Sequence, residues 1–197
     1  MVALLGLSGC SDGPPQLKPL TSDSLILAFG DSLTRGTGTS LDNSYPAVLQ
    51  RLSGVRVINA GVPGELSAEG LVRLPELLEE YRPQLVILFH GGNDILRKKS
   101  ATDAKLNIIS MVKLVQQSGA EVVLIGVPEF AIFAVKSLPH YAEIAEQLEL
   151  PYEGDILPEI VTSRALKSDH VHPNGAGYRK MAEAIEQLLI SSGALTR

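Results

Sequence analysis

Strand and helix patterns alternate along nearly the whole chain, which predicts an α/β domain: one parallel sheet of about five strands with helices on both faces. Two further observations agree. Leu85-Val86-Ile87-Leu88-Phe89 is a continuous apolar run, as expected of a central parallel strand buried on both sides. The 197 residues, 45% of them apolar, suffice for one sizeable core and are too few for two ordinary domains.

The elements follow in order. Leu25-Ile26-Leu27-Ala28 lies in the first strand, over 24–30, and residues 34–38 read as turn and loop. Residues 44–53 form a short helix with Ser44 as cap and Pro46 in its first turn, and Gly54 ends it. The β-branched, alternating stretch 55–60 is the second strand, and 61–64 is a loop. Residues 67–81 place Leu71, Leu74, Leu77 and Leu78 at helical spacing with Glu79 and Glu80 outward. After the strand at 85–89 comes a loop over 90–94. A long helix over 102–118 follows, with Leu106, Ile109, Val112 and Val115 on one face and Gly119 at its end. Residues 121–127 form the fourth strand, and 128–137 is an unusually apolar loop. A helix over 139–149, a short fifth strand near 151–153, a short helix over 156–164, a loop over 168–174 and a last helix over 175–191 complete the domain.

Composition narrows the function. A net charge of −5 and the absence of tryptophan disfavour a nucleic-acid partner, which needs a basic face and stacking aromatics. No stretch reaches the length of a membrane span. The chain divides into a leading segment, 1–23, and a domain, 24–193. Leu7-Ser8-Gly9-Cys10 resembles a bacterial lipobox, and the polar, Pro-rich residues after it read as a tether. The resemblance implies lipidation of Cys10, membrane attachment through it, and a periplasm-facing place in the bacterial cell envelope. The alternative is a frayed tail with a stray cysteine.

Four loops carry the chemistry: Gly30-Asp31-Ser32, Gly61-Val62-Pro63-Gly64, Gly91-Gly92-Asn93-Asp94 and Asp169-His170-Val171-His172-Pro173. Each follows a strand or precedes a helix, on what should be one edge of the sheet. Together they supply a hydroxyl, backbone amides beside glycines, a side-chain amide and an Asp–His pair, the parts needed for nucleophilic acyl transfer. A serine hydroxyl needs a base, the base needs a carboxylate to fix its tautomer, and the tetrahedral intermediate needs hydrogen-bond donors already in place. Each residue also has a plainer reading. Ser32 and Asp31 can be turn formers or caps, Asn93 and Asp94 turn residues, and His172 a lead-in to the last helix. His90 and His140 read as structural or surface residues. His170 and His172 beside Asp169 lack further ligand spacing for a metal.

Gly30-Asp31-Ser32-Leu33, the glycine of Gly61-Val62-Pro63-Gly64, Gly91-Gly92-Asn93-Asp94 and Asp169-x-x-His172-Pro173 resemble, in order, the four sequence blocks of the GDSL, or SGNH, hydrolases. The resemblance spans nearly all of 26–190 and is nearest to bacterial multifunctional arylesterase, thioesterase and lysophospholipase enzymes. It implies a three-layer α/β/α, flavodoxin-like fold, Ser32 as nucleophile, His172 as base and Asp169 as its orienting carboxylate. It implies an oxyanion hole from Ser32 N–H, Gly64 N–H and the Asn93 amide, with Gly61 the alternative to Gly64. It further implies no metal or cofactor and a small ester or thioester substrate. A monomer is expected. Leu33, Ile95, Leu96, Phe130, Ile132 and Phe133 are candidate acyl-pocket residues, with ordinary core packing as the alternative. Other functions open to such a chain are a carbohydrate O-acetyl esterase and a non-catalytic ligand-binding lipoprotein.

Overall fold

Four successive residues, Ile26, Leu27, Ala28 and Phe29, are wholly buried, and they make the first strand the centre of the molecule. In the computed structural model, which describes residues 13–130 and 135–196, this strand is β1 (Leu25–Gly30). It is followed by a four-residue helix α1 (Ser32–Arg35), then α2 (Tyr45–Ser53), β2 (Arg56–Gly61), α3 (Ser67–Tyr81) and β3 (Leu85–Phe89). Next come α4 (Gly92–Leu96), α5 (Ala101–Gln117), β4 (Glu121–Ile125), β5 (Pro128–Phe130) and β6 (Val135–Ser137). The chain ends with α6 (Pro139–Gln147), β7 (Tyr152–Glu153), α7 (Ile156–Thr162) and α8 (Gly175–Ser191).

Five strands pair in parallel in the order β2-β1-β3-β4-β7, so the predicted sheet and its strand count are both present. Parallel strands need crossovers, and the helices supply them: α2 packs on α8 against one face, α3 on α5 against the other. The order reverses direction between β1 and β3. In such doubly wound sheets the crevice outside the carboxyl ends of the strands at that reversal is where ligands bind. Gly30 closes β1 at this point. A Cβ there would lie 2.1 Å from the Phe89 carbonyl oxygen, so only glycine lets the ends of β1 and β3 approach this closely.

Several local readings differ. Residues 34–38, predicted as turn and loop, begin with α1: Asp31 caps it by accepting from Leu33 N–H at 3.0 Å, and Gly36, at φ 91°, ends it. A single helical turn is too short to show a period. The predicted loop 90–94 contains the start of α4 for the same reason. The apolar stretch 128–137 is no plain loop, because β5 and β6 pair antiparallel there. In α5 the buried residues are Ala104, Ile108, Met111, Val112 and Val115, whereas Leu106 is 55% exposed. The set beginning at Ala104 keeps true helical spacing, and Leu106 falls on the opposite side of the cylinder.

The segment read as a tether lies along the domain from Leu17 to Leu20. Leu17 and Leu20 donate backbone hydrogen bonds to Ser192 and Ala194, each at 2.8 Å, and both side chains pack on the core. Lys18 N–H donates to Glu121 Oε2 at 2.7 Å. Cys10, Ile132 and Phe133 lie outside the described residues, as does the side chain of Phe130.

Candidate active site

Ser32 is the first residue of α1, directly beyond the carboxyl end of β1. Its N–H is one of the amides at a helix start that have no intrahelical acceptor. Its hydroxyl is half-buried and lies 3.0 Å from His172 Nε2, 140 residues further along the chain. His172 reaches it from the loop before α8. Asn174 caps that helix by accepting from the amides of Ala176 and Gly177, and its own amide donates to Ala165 O at 2.9 Å. The helix start therefore fixes where the loop ends.

Asp169 fixes the rest of the loop. Its Oδ1 accepts from the amides of Val171 and His172, both at 2.8 Å, and its Oδ2 lies 2.8 Å from His172 Nδ1. An ionised carboxylate only accepts, so the proton is on Nδ1 and Nε2 faces Ser32 with a free lone pair. Partial burial pushes the Asp169 carboxyl up. The His172 amide, the His172 ring and the Val171 amide outweigh that and bring it down to about 2. At any pH near neutral this carboxylate is charged.

The loop after β2 is a tight turn. Glu65 N–H donates to Val62 O at 3.2 Å, with Pro63 and Gly64 at the corners and Gly64 at φ 79°. Positive φ at the third position is the mark of a type II turn, and it decides which way the Pro63–Gly64 peptide points. Gly61 N–H is occupied by Asn59 Oδ1 at 3.1 Å, whereas Gly64 N–H meets no acceptor among the described residues. Of the two glycines, Gly64 has the amide free to serve a ligand.

Asn93 follows β3 in the first turn of α4. Its Nδ2 donates to Asp31 Oδ2 and to Glu65 O, each at 3.1 Å. Burial lifts the Asp31 carboxyl above its ordinary value despite the Leu33 amide and the nearby imidazoles. Asp31 therefore does more than cap α1, because it also holds the Asn93 side chain. Asp94, read as a turn residue, is buried and accepts from Ser67 N–H at 2.9 Å and Ser67 Oγ at 2.8 Å, tying α4 to the start of α3.

Beside Ser32 and Asn93 lies a narrow apolar cavity of about 20 Å3, room for about one water molecule. Leu33, Ile95 and Leu96 line it, as expected. So do Pro128, at the start of the apolar stretch 128–137, and Val127, Leu157, Val161 and Val171, which sequence reasoning missed. The apolar spacing in α7 shows only that the helix buries a face. Nothing in it says that the face is shared between the core and Ser32. A wider, open groove of about 740 Å3 lies at the opposite end of the strands, between Leu20, Pro75, Arg82 and Glu121, away from these polar groups. His90 is wholly buried and His170 is exposed. Among the described residues no group of three or more His, Cys, Asp or Glu side chains is placed to hold a metal ion.

A hydroxyl, an imidazole and a carboxylate in series, at the carboxyl edge of a doubly wound parallel sheet, define a serine hydrolase that works by acyl transfer. Comparison with known proteins places it further: residues 28–180 match the GDSL-like Lipase/Acylhydrolase family, and the chain belongs to that family. It is 29% identical to an arylesterase of Vibrio mimicus over 175 residues, covering 84% of this chain and 88% of that protein. It is 30% identical to thioesterase 1/protease 1/lysophospholipase L1 of Escherichia coli over 156 residues, covering 76% of this chain and 75% of that protein. The crystal structure of TesA superposes with a TM-score of 0.75 at 28% identity, over 84% of this chain and 98% of that one.

Proposed function

We propose that the chain hydrolyses small carboxylic esters and thioesters through an acyl-enzyme on Ser32, in the manner of the arylesterases, thioesterases and lysophospholipases it resembles. The observation that carries this is the hydrogen-bonded series Ser32–His172–Asp169, with links of 3.0 and 2.8 Å. Ser32 Oγ attacks the acyl carbon while His172 Nε2 takes its proton. The carbonyl π electrons move onto oxygen, and the resulting anion is received by Ser32 N–H, by Gly64 N–H and by Asn93 Nδ2, which gives up its bond to Asp31 Oδ2 to donate to the anion. As the tetrahedral intermediate collapses, the bond to the alcohol or thiol breaks and His172 returns the proton to that leaving group. A water then attacks the ester on Ser32 and gives its proton to His172; the acyl–Oγ bond breaks, His172 returns that proton to Ser32 Oγ, and the acid is released. Asp169 stays ionised throughout and steadies the imidazolium.

The apolar walls of the cavity favour an acyl chain over a polar sugar, and its narrowness favours a short one. Reaction with a fluorophosphonate tests the nucleophile: labelling of the wild type and none of Ser32→Ala is expected, and label surviving in Ser32→Ala refutes the assignment. A chain-length series of p-nitrophenyl esters tests the substrate, with the optimum expected at short acyl chains. We further propose that Cys10 carries a lipid that holds the enzyme at the bacterial envelope, on the strength of the Leu7-Ser8-Gly9-Cys10 motif. Incorporation of a palmitate analogue that is lost in Cys10→Ala supports it, and equal incorporation in both refutes it.

A further inference from the structure

Behind the oxyanion donors lies a buried charged cluster that the mechanism above leaves without a role. Glu65 is 7% exposed. Its Oε1 accepts from Arg73 Nε at 2.6 Å, and its Oε2 accepts from Arg73 NH2 at 2.6 Å and from His90 Nε2 at 2.9 Å. His90 is wholly buried, and its Nδ1 accepts from Gly91 N–H at 3.0 Å, so its single proton sits on Nε2 and points at Glu65. Arg73 also donates to Ala60 O at 3.1 Å, and its guanidinium lies 4.4 Å from the centre of the Phe29 ring. Burial alone would push the Glu65 carboxyl up, but the Arg73 and His90 bonds hold it below its ordinary value.

A buried carboxylate with a forked arginine is a costly thing to keep, and similar-sized apolar groups usually stabilise a core as well. The cluster's reach suggests why it is there. It gathers the carboxyl ends of three strands: Phe29 and Ala60, next to last in β1 and β2, and His90, directly after β3. Its centre, Glu65, is the fourth residue of the Val62–Glu65 turn, so anchoring its side chain holds the turn that aims Gly64 N–H. The carbonyl of the same residue accepts from Asn93 Nδ2. One residue therefore meets both of the oxyanion donors that lie outside α1.

We propose that Glu65, held by Arg73 and His90, is a positioning residue that sets the aim of the Gly64 and Asn93 donors. The inference rests on the reading of those two groups as the oxyanion hole. Misaiming by a fraction of an ångström does not prevent substrate from binding but weakens the grip on the anion, so the effect falls on kcat. Glu65→Gln keeps the volume and removes the charge that orients the arginine fork.

The test is a double-mutant cycle on the full chain, read as kcat and KM for p-nitrophenyl butyrate and as the rate of fluorophosphonate inactivation. Asn93→Ala is expected to lower kcat by about 10²-fold or more. Glu65→Gln is expected to lower kcat about 10- to 100-fold with KM within about twofold, and to slow inactivation by the same factor. In the Asn93→Ala background, Glu65→Gln is expected to cost less than it does in the wild type, because one of the two donors it aims is already gone and only the share carried by Gly64 remains. Arg73→Lys, which keeps the charge and drops the fork, is expected to show the same pattern more weakly and provides the measurement if Glu65→Gln does not fold. Wild-type kcat in Glu65→Gln or in a folded Arg73→Lys, or equal losses in both backgrounds, overturns the positioning role while leaving the oxyanion assignment intact. A wild-type kcat in Asn93→Ala overturns the oxyanion assignment itself, and the positioning role with it.

Discussion

Replacing Asp169 with asparagine changes one atom and should remove most of the activity. Oδ1 of residue 169 accepts two backbone amides, those of Val171 and His172, and the second oxygen faces His172 Nδ1. Asparagine can serve only one side well. If its oxygen stays on the amides, its NH2 faces Nδ1, the imidazole moves its proton to Nε2, and the ring can no longer accept from Ser32. If the side chain turns over, the tautomer is right but two amides face an NH2 group. A bond from a backbone amide to a neutral carbonyl oxygen contributes about 0.5–1.5 kcal/mol. Two are lost, and with the side chain of residue 169 at 54% exposed water recovers part of them, so turning over costs about 1.5 kcal/mol. At 1.4 kcal/mol per tenfold, the productive arrangement falls to about one part in 10. Losing the charge beside the imidazolium takes about another factor of ten or more, so kcat/KM should drop about 10²-fold or more. The assay is hydrolysis of p-nitrophenyl butyrate between pH 5 and 9, with fluorophosphonate titration to count competent sites. The wild-type profile should show no step from Asp169 in this range, because its carboxyl is already ionised well below it. An Asp169→Asn variant within tenfold of wild type refutes the reasoning.

Three further outcomes are expected. Asp169 has a folded value near 2 against an ordinary 3.8, so it stabilises the fold above about pH 4 and loses that contribution as pH falls towards 2. Urea midpoints of wild type and Asp169→Ala should therefore converge between pH 4 and pH 2, and a constant difference across that window contradicts the assignment. Gly64→Ala places a side chain at φ 79° with its Cβ 3.1 Å from the Arg97 guanidinium, and should cost about 1–2 kcal/mol in denaturant unfolding together with a fall in kcat. An unchanged midpoint and kcat would show that the turn relaxes freely. Leu157→Ala removes a buried wall of the cavity beside Ser32 and should move the ester optimum to longer chains, at about 2–5 kcal/mol of stability. An unmoved optimum places the acyl chain elsewhere.

The sheet was legible in the sequence because its signals are local. A run such as Leu85–Phe89 is apolar at every position only if both faces are covered, and the alternation of elements then forces parallel pairing. The four polar loops were legible because each sits at a strand end or a helix start. Less legible was whatever depends on residues distant in the chain. Asp31 and Asp94 read as turn residues, yet their second partners are Asn93 and Ser67, supplied by other loops. His90 read as structural or surface, and only folding brings it to Glu65, 25 residues earlier. The short helices at Ser32 and Gly92 carry too few residues for a period to show. The buried face of α5 was misjudged because Leu106 is apolar and exposed, and composition alone does not say which side of a helix meets the sheet.

The division of labour around the cavity has an evolutionary consequence. The hydroxyl, the imidazole and the amide come from segments pinned to β1, β3 and α8, where Gly30 leaves no slack. Two of the eight apolar residues that wall the cavity, Leu157 and Val161, come from α7, which carries none of the polar groups around Ser32. Substitutions there alter what fits without altering what reacts. Substitutions on this seven-residue helix therefore open a route for a lineage to shift its ester preference while the groups that break the bond stay in place.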